Sequence, residues 1–151
     1  MSITYKGKVK TMEYKGFSLI ELVVAMAIFS ILAVIAVPSY TGYVDKSRRS
    51  DGKAALMELQ LKMEKQRGSC ATYASAIDVA DNCATGKIKV PATSVDGHYN
   101  ISIVSASSTG NSFKILADPT GVQTRDSGCD PLSITVNNVN PKGLREPANC
   151  W

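Results

Sequence analysis

One acid stands inside the most apolar stretch of this chain. Glu21 belongs to the run FSLIELVVAMAIFSILAVIAVP, from Phe17 to Pro38. A charge at the centre of a lipid-facing helix costs roughly 2.5–3.5 kcal/mol on insertion scales, and less near the end of a span. Glu21 is therefore either a tolerated interfacial carboxylate or a group with a positive partner elsewhere. The sulfur chemistry comes later. Cys70, Cys83, Cys129 and Cys150 all follow the run, with gaps of 13, 46 and 21 positions. Zinc sites use close pairs such as C-x-x-C, which are missing here, and His98 is the only histidine. An even cysteine count in this arrangement points to disulfides made in an oxidising compartment. His98 has no triad context and reads as the start of a strand. No G-x-S-x-G, P-loop or Rossmann glycine pattern occurs. The reading is a chain that is not an enzyme, with no cofactor and no metal. Lys46, Arg48, Arg49 and Lys53 form a basic set whose plain reading is a solvated helix face. Contact with DNA or anionic lipid headgroups is the sharper alternative, but no aromatic stacking platform accompanies the set.

The elements that carry these groups follow from patterning. At 151 residues the chain has room for one ordinary domain. Its net charge of +4 divides unevenly: residues 1–16 hold four lysines and Glu13, leaving the other 135 residues at +1. That weakens a nucleic-acid reading based on overall charge. The 22-residue apolar run would make a helix about 33 Å long, enough to cross a bilayer core. A basic end before such a run is the design of a targeting or anchoring segment. Removal as a secretory signal fits poorly, because Ala25-Met26-Ala27 lies too early and Ala33-Val34-Ile35-Ala36 has the wrong spacing. A plain anchor must accommodate Glu21. The third outcome is a cut before the run, at Gly16. Lysines flank the run on both sides, so the positive-inside rule returns a tie. The cysteines break it by requiring the C-terminal part to lie outside the cytoplasm.

At Lys15-Gly16-Phe17-Ser18-Leu19-Ile20-Glu21-Leu22 the sequence closely resembles the K-G-F-[ST]-L-I-E-L signature of type IV prepilins, across all eight positions. The resemblance implies cleavage between Gly16 and Phe17 by the prepilin peptidase and N-methylation of the new Phe17 amine. It also implies a filament in which the Glu21 carboxylate pairs with the Phe17 amine of an adjacent subunit. Pairing offsets much of the penalty of a charge in an apolar core. The implied leader, residues 1–16, is long for this family; Met12 offers a second start with a short leader.

Pro38 removes a helical hydrogen bond and Gly42 adds a weak point, so a kink or locally melted stretch is expected over residues 35–42. Beyond it Ala55, Leu56, Leu59 and Met63 fall at helical spacing, and the helix is expected to reach Arg67 with Gly68 as its stop. The division is thus a leader (1–16), a membrane and filament-core helix (17–38), an amphipathic continuation (39–68) and a globular head (69–151). Residues 69–97 read as an irregular region. Alternation at Tyr99/Ile101/Ile103, Phe113/Ile115/Ala117 and Leu132/Ile134/Val136 marks strands. Turns are marked at 108–111 and 118–121. The expected fold is α+β: a long N-terminal helix packed on an antiparallel sheet of three or four strands, with disulfide loops.

Phe113–Gly121, Asp126–Cys129 and the terminal Pro147-Ala148-Asn149-Cys150-Trp151 are similar to segments of disulfide-bearing pilins, and the last is closer to PilE-like minor pilins. Many members close a C-terminal disulfide loop, which maps onto Cys129 and Cys150 and leaves Cys70 with Cys83. Four cysteines allow three connectivities, and the sequence keeps the others open. The resemblance implies a structural subunit of a type IV pilus, with other pilins, the prepilin peptidase, the assembly machinery and inner-membrane lipid as partners. It implies an inner-membrane protein with a periplasmic head before assembly and an extracellular pilus after it. Twitching motility, adhesion and DNA uptake are the roles it brings to a minor pilin. A type II secretion pseudopilin is the nearest alternative. A DNA-binding or adhesive module displayed on a pilus is another, although nothing in the sequence itself supports DNA contact.

Overall fold

The computed structural model describes residues 16–151; the leader up to Lys15, with the alternative start at Met12, lies outside the described residues. A single long helix, α1, runs Leu19–Arg67. Its apolar half offers the backbone few polar competitors. Ser30 donates to the Met26 carbonyl at 2.8 Å and Ser39 to the Ile35 carbonyl at 3.2 Å, so both hydroxyls are satisfied on the helix itself. The backbone is helical throughout residues 35–42 rather than unwound, with Pro38 inside the helix. The helix stops at Arg67. Gly68 donates its N–H to the Lys65 carbonyl at 3.2 Å, and the Cys70 N–H reaches the Gln66 carbonyl at 2.9 Å.

The chain separates into two compact units, one ending at Tyr40 and the other spanning Thr41–Trp151. In the first, every large apolar side chain from Phe17 to Val37 is exposed. The segment is long and apolar enough to cross a membrane by length and composition.

The second unit holds the core. Two short strands, β1 (Ala76–Asp78) and β2 (Lys87–Lys89), pair in parallel. They lie in the region expected to be irregular. Three residues each is too short for an alternation pattern, which is why periodicity does not reveal them. Four longer-range partners, β3 (Tyr99–Ile103), β4 (Phe113–Pro119), β5 (Leu132–Val136) and β6 (Leu144–Glu146), form an antiparallel sheet in that order. The expected alternation sets the register: Ile101 lies opposite Ala117, and Ile115 opposite Ile134. Their inward side chains, with Phe113 and Leu132, close over Leu56, Leu59 and Met63 of α1, all 6% exposed or less. β4 extends past Ala117 through Asp118 and Pro119, which pair with Asn100 and Tyr99. β6 is a short edge strand, exposed at all three positions. The molecule is α+β, with one long helix, the four-stranded sheet and two disulfides.

Candidate functional site

The N-terminal determinants sit where the helix begins. Gly16, Phe17 and Ser18 are non-helical, the Leu22 N–H bonds the Ser18 carbonyl at 3.2 Å, and Glu21 lies in the first turn of α1. A carboxylate in the first turn complements the helix dipole. Among the described residues, nothing lies within 4 Å of where a Cβ on Gly16 would point. Phe17 is 85% exposed.

Further along α1 the acids and arginines are tied to the rest of the head. Arg125 grips Asp45 through Nε (2.9 and 3.0 Å) and Nη2 (2.8 Å). That guanidinium holds the Asp45 carboxyl below the usual aspartate range, against the opposing effect of burial. Arg49 makes a two-armed bond to Asp126, at 2.6 and 2.7 Å, which raises its own affinity for its proton. Fully buried Gln123 joins the two pairs, donating to the Asp45 carbonyl, the Tyr99 hydroxyl and Asp126 at 3.1–3.3 Å. Further along α1, Asp51 accepts from the Ser94 hydroxyl and from the backbone N–H groups of Asp96 and His98. His98 thus directly precedes β3.

The basic set of the sequence splits into two kinds. Arg48 and Arg49 face Asp45 and Asp126. Lys46 and Lys53 have no ion pair among the described residues, and neither does Arg145. Lys53 Nζ lies 6.0 Å from the centre of the Trp151 ring and the Arg145 guanidinium 5.5 Å from it. Burial, then the nearby charges of Arg49 and Lys46, lowers the Lys53 pKa. Trp151 is fixed by its indole N–H, which donates to the Glu146 carbonyl at 3.2 Å. So an aromatic group does accompany the basic set, contributed by residues about a hundred positions away. Cys70 is bonded to Cys83 and Cys129 to Cys150, with Cα–Cα separations of 5.3 and 5.7 Å. Among the described residues no His/Cys/Asp/Glu group could hold a metal ion.

Residues 12–37 match the prokaryotic N-terminal methylation motif. Residues 38–133, more than half of the chain, match the family described as type IV minor pilin ComP, DNA uptake sequence receptor. The chain belongs to the type IV minor pilins. The pilin is also similar to the fimbrial protein EcpC of Eikenella corrodens, 38% identical over 72% of this chain and 65% of that protein. To a fimbrial protein of Dichelobacter nodosus it is 34% identical over 61% and 59% of the two chains. The type IV major alpha-pilin of Moraxella bovis is 31% identical over 86% and 73%. The matched part thus spans just under two thirds of the first two relatives. The family is one of structural pilins.

Within this pilin the sequence-level site residues divide. Gly16, Phe17 and Glu21 cluster at the start of α1, and the four cysteines are all bonded. Asp45, Gln123, Arg125 and Asp126 escaped sequence reasoning. The one sequence hint is an acid, Asp45, on a helix face close to the basic set, and its partner lies 80 positions away.

Proposed function

We propose that this pilin is a filament subunit cut between Gly16 and Phe17, methylated on the Phe17 amine, and held in the inner membrane by residues 17–38 with its head in the periplasm. After extraction it polymerises through the same helix. The observation that carries this reading is the apolar segment Phe17–Val37, whose large apolar side chains are all exposed and which bears Glu21 near its start. A glycine at the scissile bond also suits a peptidase that must approach the backbone closely. In a filament core Glu21 would pair with the Phe17 amine of a neighbour, favouring one axial register. Pro38 and Gly42 would give the helix a place to bend as subunits pack. Residues 39–68 and 69–151 then serve as the head's helix and body. Intact-mass measurement of the subunit from sheared filaments tests the reading. The expected species begins at methylated Phe17, and Glu21→Val is expected to be cleaved but left out of filaments. A filament subunit retaining residues 1–16, or normal incorporation of Glu21→Val, overturns it.

A second reading concerns DNA. The description of the matching family names a DNA uptake sequence receptor. On this chain Lys53 and Arg145 gather near Trp151 without an acidic partner among the described residues, and such cations suit phosphate. In a gel-shift titration of the full chain against salt, Lys53→Ala with Arg145→Ala is expected to weaken DNA binding. Each lost phosphate contact should lower the salt slope by about 1. An unchanged slope removes this surface from the reading.

A further inference from the structure

The two disulfides sit in different surroundings. Cys129 and Cys150 are both sealed in the core, 3% and 2% exposed. Cys70 is buried too, at 6%, but its partner Cys83 is exposed in the segment between β1 and β2. A thiolate exchanges with a disulfide only by reaching one of its sulfurs, so access decides which bridge reacts. Cys83 can be approached from water, whereas both ends of the other bridge are covered.

The ground around Cys83 is cationic. The bridge faces an open depression lined by Lys62 and Lys65 of α1, Lys89 of β2, and Asp81. Lys62 is paired with Glu58 at 2.9 Å, and the Asp81 carboxylate accepts the Lys89 N–H at 2.7 Å. The ammonium groups of Lys65 and Lys89 have no ion pair among the described residues. At the buried end Arg67, also without an acid, donates to the Cys70 carbonyl at 2.8 Å. An arriving thiolate is an anion and is drawn to such a surface, and a thiolate leaving at Cys70 has a guanidinium nearby.

The turn that the bridge closes has other ties. Asn82 and Lys87 exchange both backbone hydrogen bonds at 2.9 Å, and the Ser75 and Ala76 N–H groups donate to the Gly86 carbonyl at 2.8 and 3.2 Å. Gln66 of α1 donates to the Lys87 carbonyl at 2.8 Å, and Ile88 is buried in the core. None of these ties passes through the sulfurs. We propose that Cys83 is a thiol-exchange site, at which a dithiol reductant opens Cys70–Cys83 while the head stays folded and Cys129–Cys150 stays closed. The reductant's thiolate bonds to Cys83 Sγ, the Cys70–Cys83 bond breaks, and the Cys70 sulfur leaves as a thiolate and takes up a proton. The reductant's second thiolate then attacks the reductant sulfur of this mixed disulfide and releases Cys83, which is protonated in turn. The dithiol is oxidised to a disulfide and the bridge is reduced to two thiols.

The test exposes the full chain, in a non-ionic detergent, to dithiothreitol for graded times, quenches with iodoacetamide and maps the alkylated peptides. Cys70 and Cys83 are expected to be alkylated together, about ten-fold or more faster than Cys129 and Cys150, with Trp151 fluorescence unchanged over that period. A second arm compares opening by anionic 2-mercaptoethanesulfonate and neutral 2-mercaptoethanol at equal thiolate concentration and low salt. The ratio of the two rates should be about two-fold or more higher in the parent than in Lys65→Ala combined with Lys89→Ala. Both lysines are exposed, so the double variant should keep the parent's urea unfolding curve. Opening of Cys129–Cys150 as fast or faster, a fluorescence change in step with reduction of Cys70–Cys83, or a rate ratio that the double variant does not lower overturns the proposal.

Discussion

Asp45 illustrates how much a single side chain can organise here. Its carboxylate takes Arg125, its carbonyl takes Gln123, and Arg48 stands at 4.0 Å. Because Arg125 lowers its folded-state pKa, Asp45 contributes stability that is complete above the ordinary aspartate value, about 3.9, and is lost as pH falls through the lower folded value. Asp45→Asn is therefore expected to destabilise the head at pH 7, with the gap to the parent closing as urea titrations are moved below about pH 4. A gap independent of pH would assign the loss to packing instead. None of this was legible in the sequence. Local periodicity marks which face of a helix is apolar, but an acid buried by an arginine 80 positions away leaves no local trace. The reverse case is Arg48 and Arg49, which read as a solvated basic face and are half-buried ion-pair partners.

At the scale of the element, α1 contains two glycines with opposite demands. Around Gly42 nothing lies within 4 Å of a Cβ position, whereas at Gly52 a Cβ would meet the Tyr99 ring at 2.8–3.0 Å. Gly42→Ala should raise stability by about 0.5–1 kcal/mol through helix propensity alone. Gly52→Ala gains the same propensity but must displace a buried ring, an overpacking cost of about 1–3 kcal/mol, so a net loss is expected. Urea unfolding of both variants measures the contrast; equal effects would mean that Tyr99 moves aside freely. The sequence presents Gly42 as a weak point and passes over Gly52, since a close approach from a strand 47 residues on is invisible in helical spacing. The three principal strands were legible because apolar residues alternate along each sequence, although Ser133 of β5 is buried as well. β6 was not, because an exposed edge strand buries nothing that would impose a pattern.

For the whole molecule, the family signature and the head carry different information. Eight contiguous residues around Gly16 identify the class, while the disulfides brace a small head. The Cys129–Cys150 bridge closes a loop of 21 residues, for which loop-closure entropy gives about 3 kcal/mol. Replacing both cysteines with serine should lower the unfolding free energy by about that amount. A loss below about 1 kcal/mol in urea titration would mean that β6 and Trp151 hold the loop without the bridge. The ties along α1 also have an order. Along the helix, Asp45–Arg125 and Arg49–Asp126 tie it to the head on the N-terminal side of Leu56, Leu59 and Met63. A tensile load entering the head along this helix therefore reaches short-range polar ties before it reaches the apolar core. Ion pairs act over a short range, so these ties are expected to part under load before the apolar core opens.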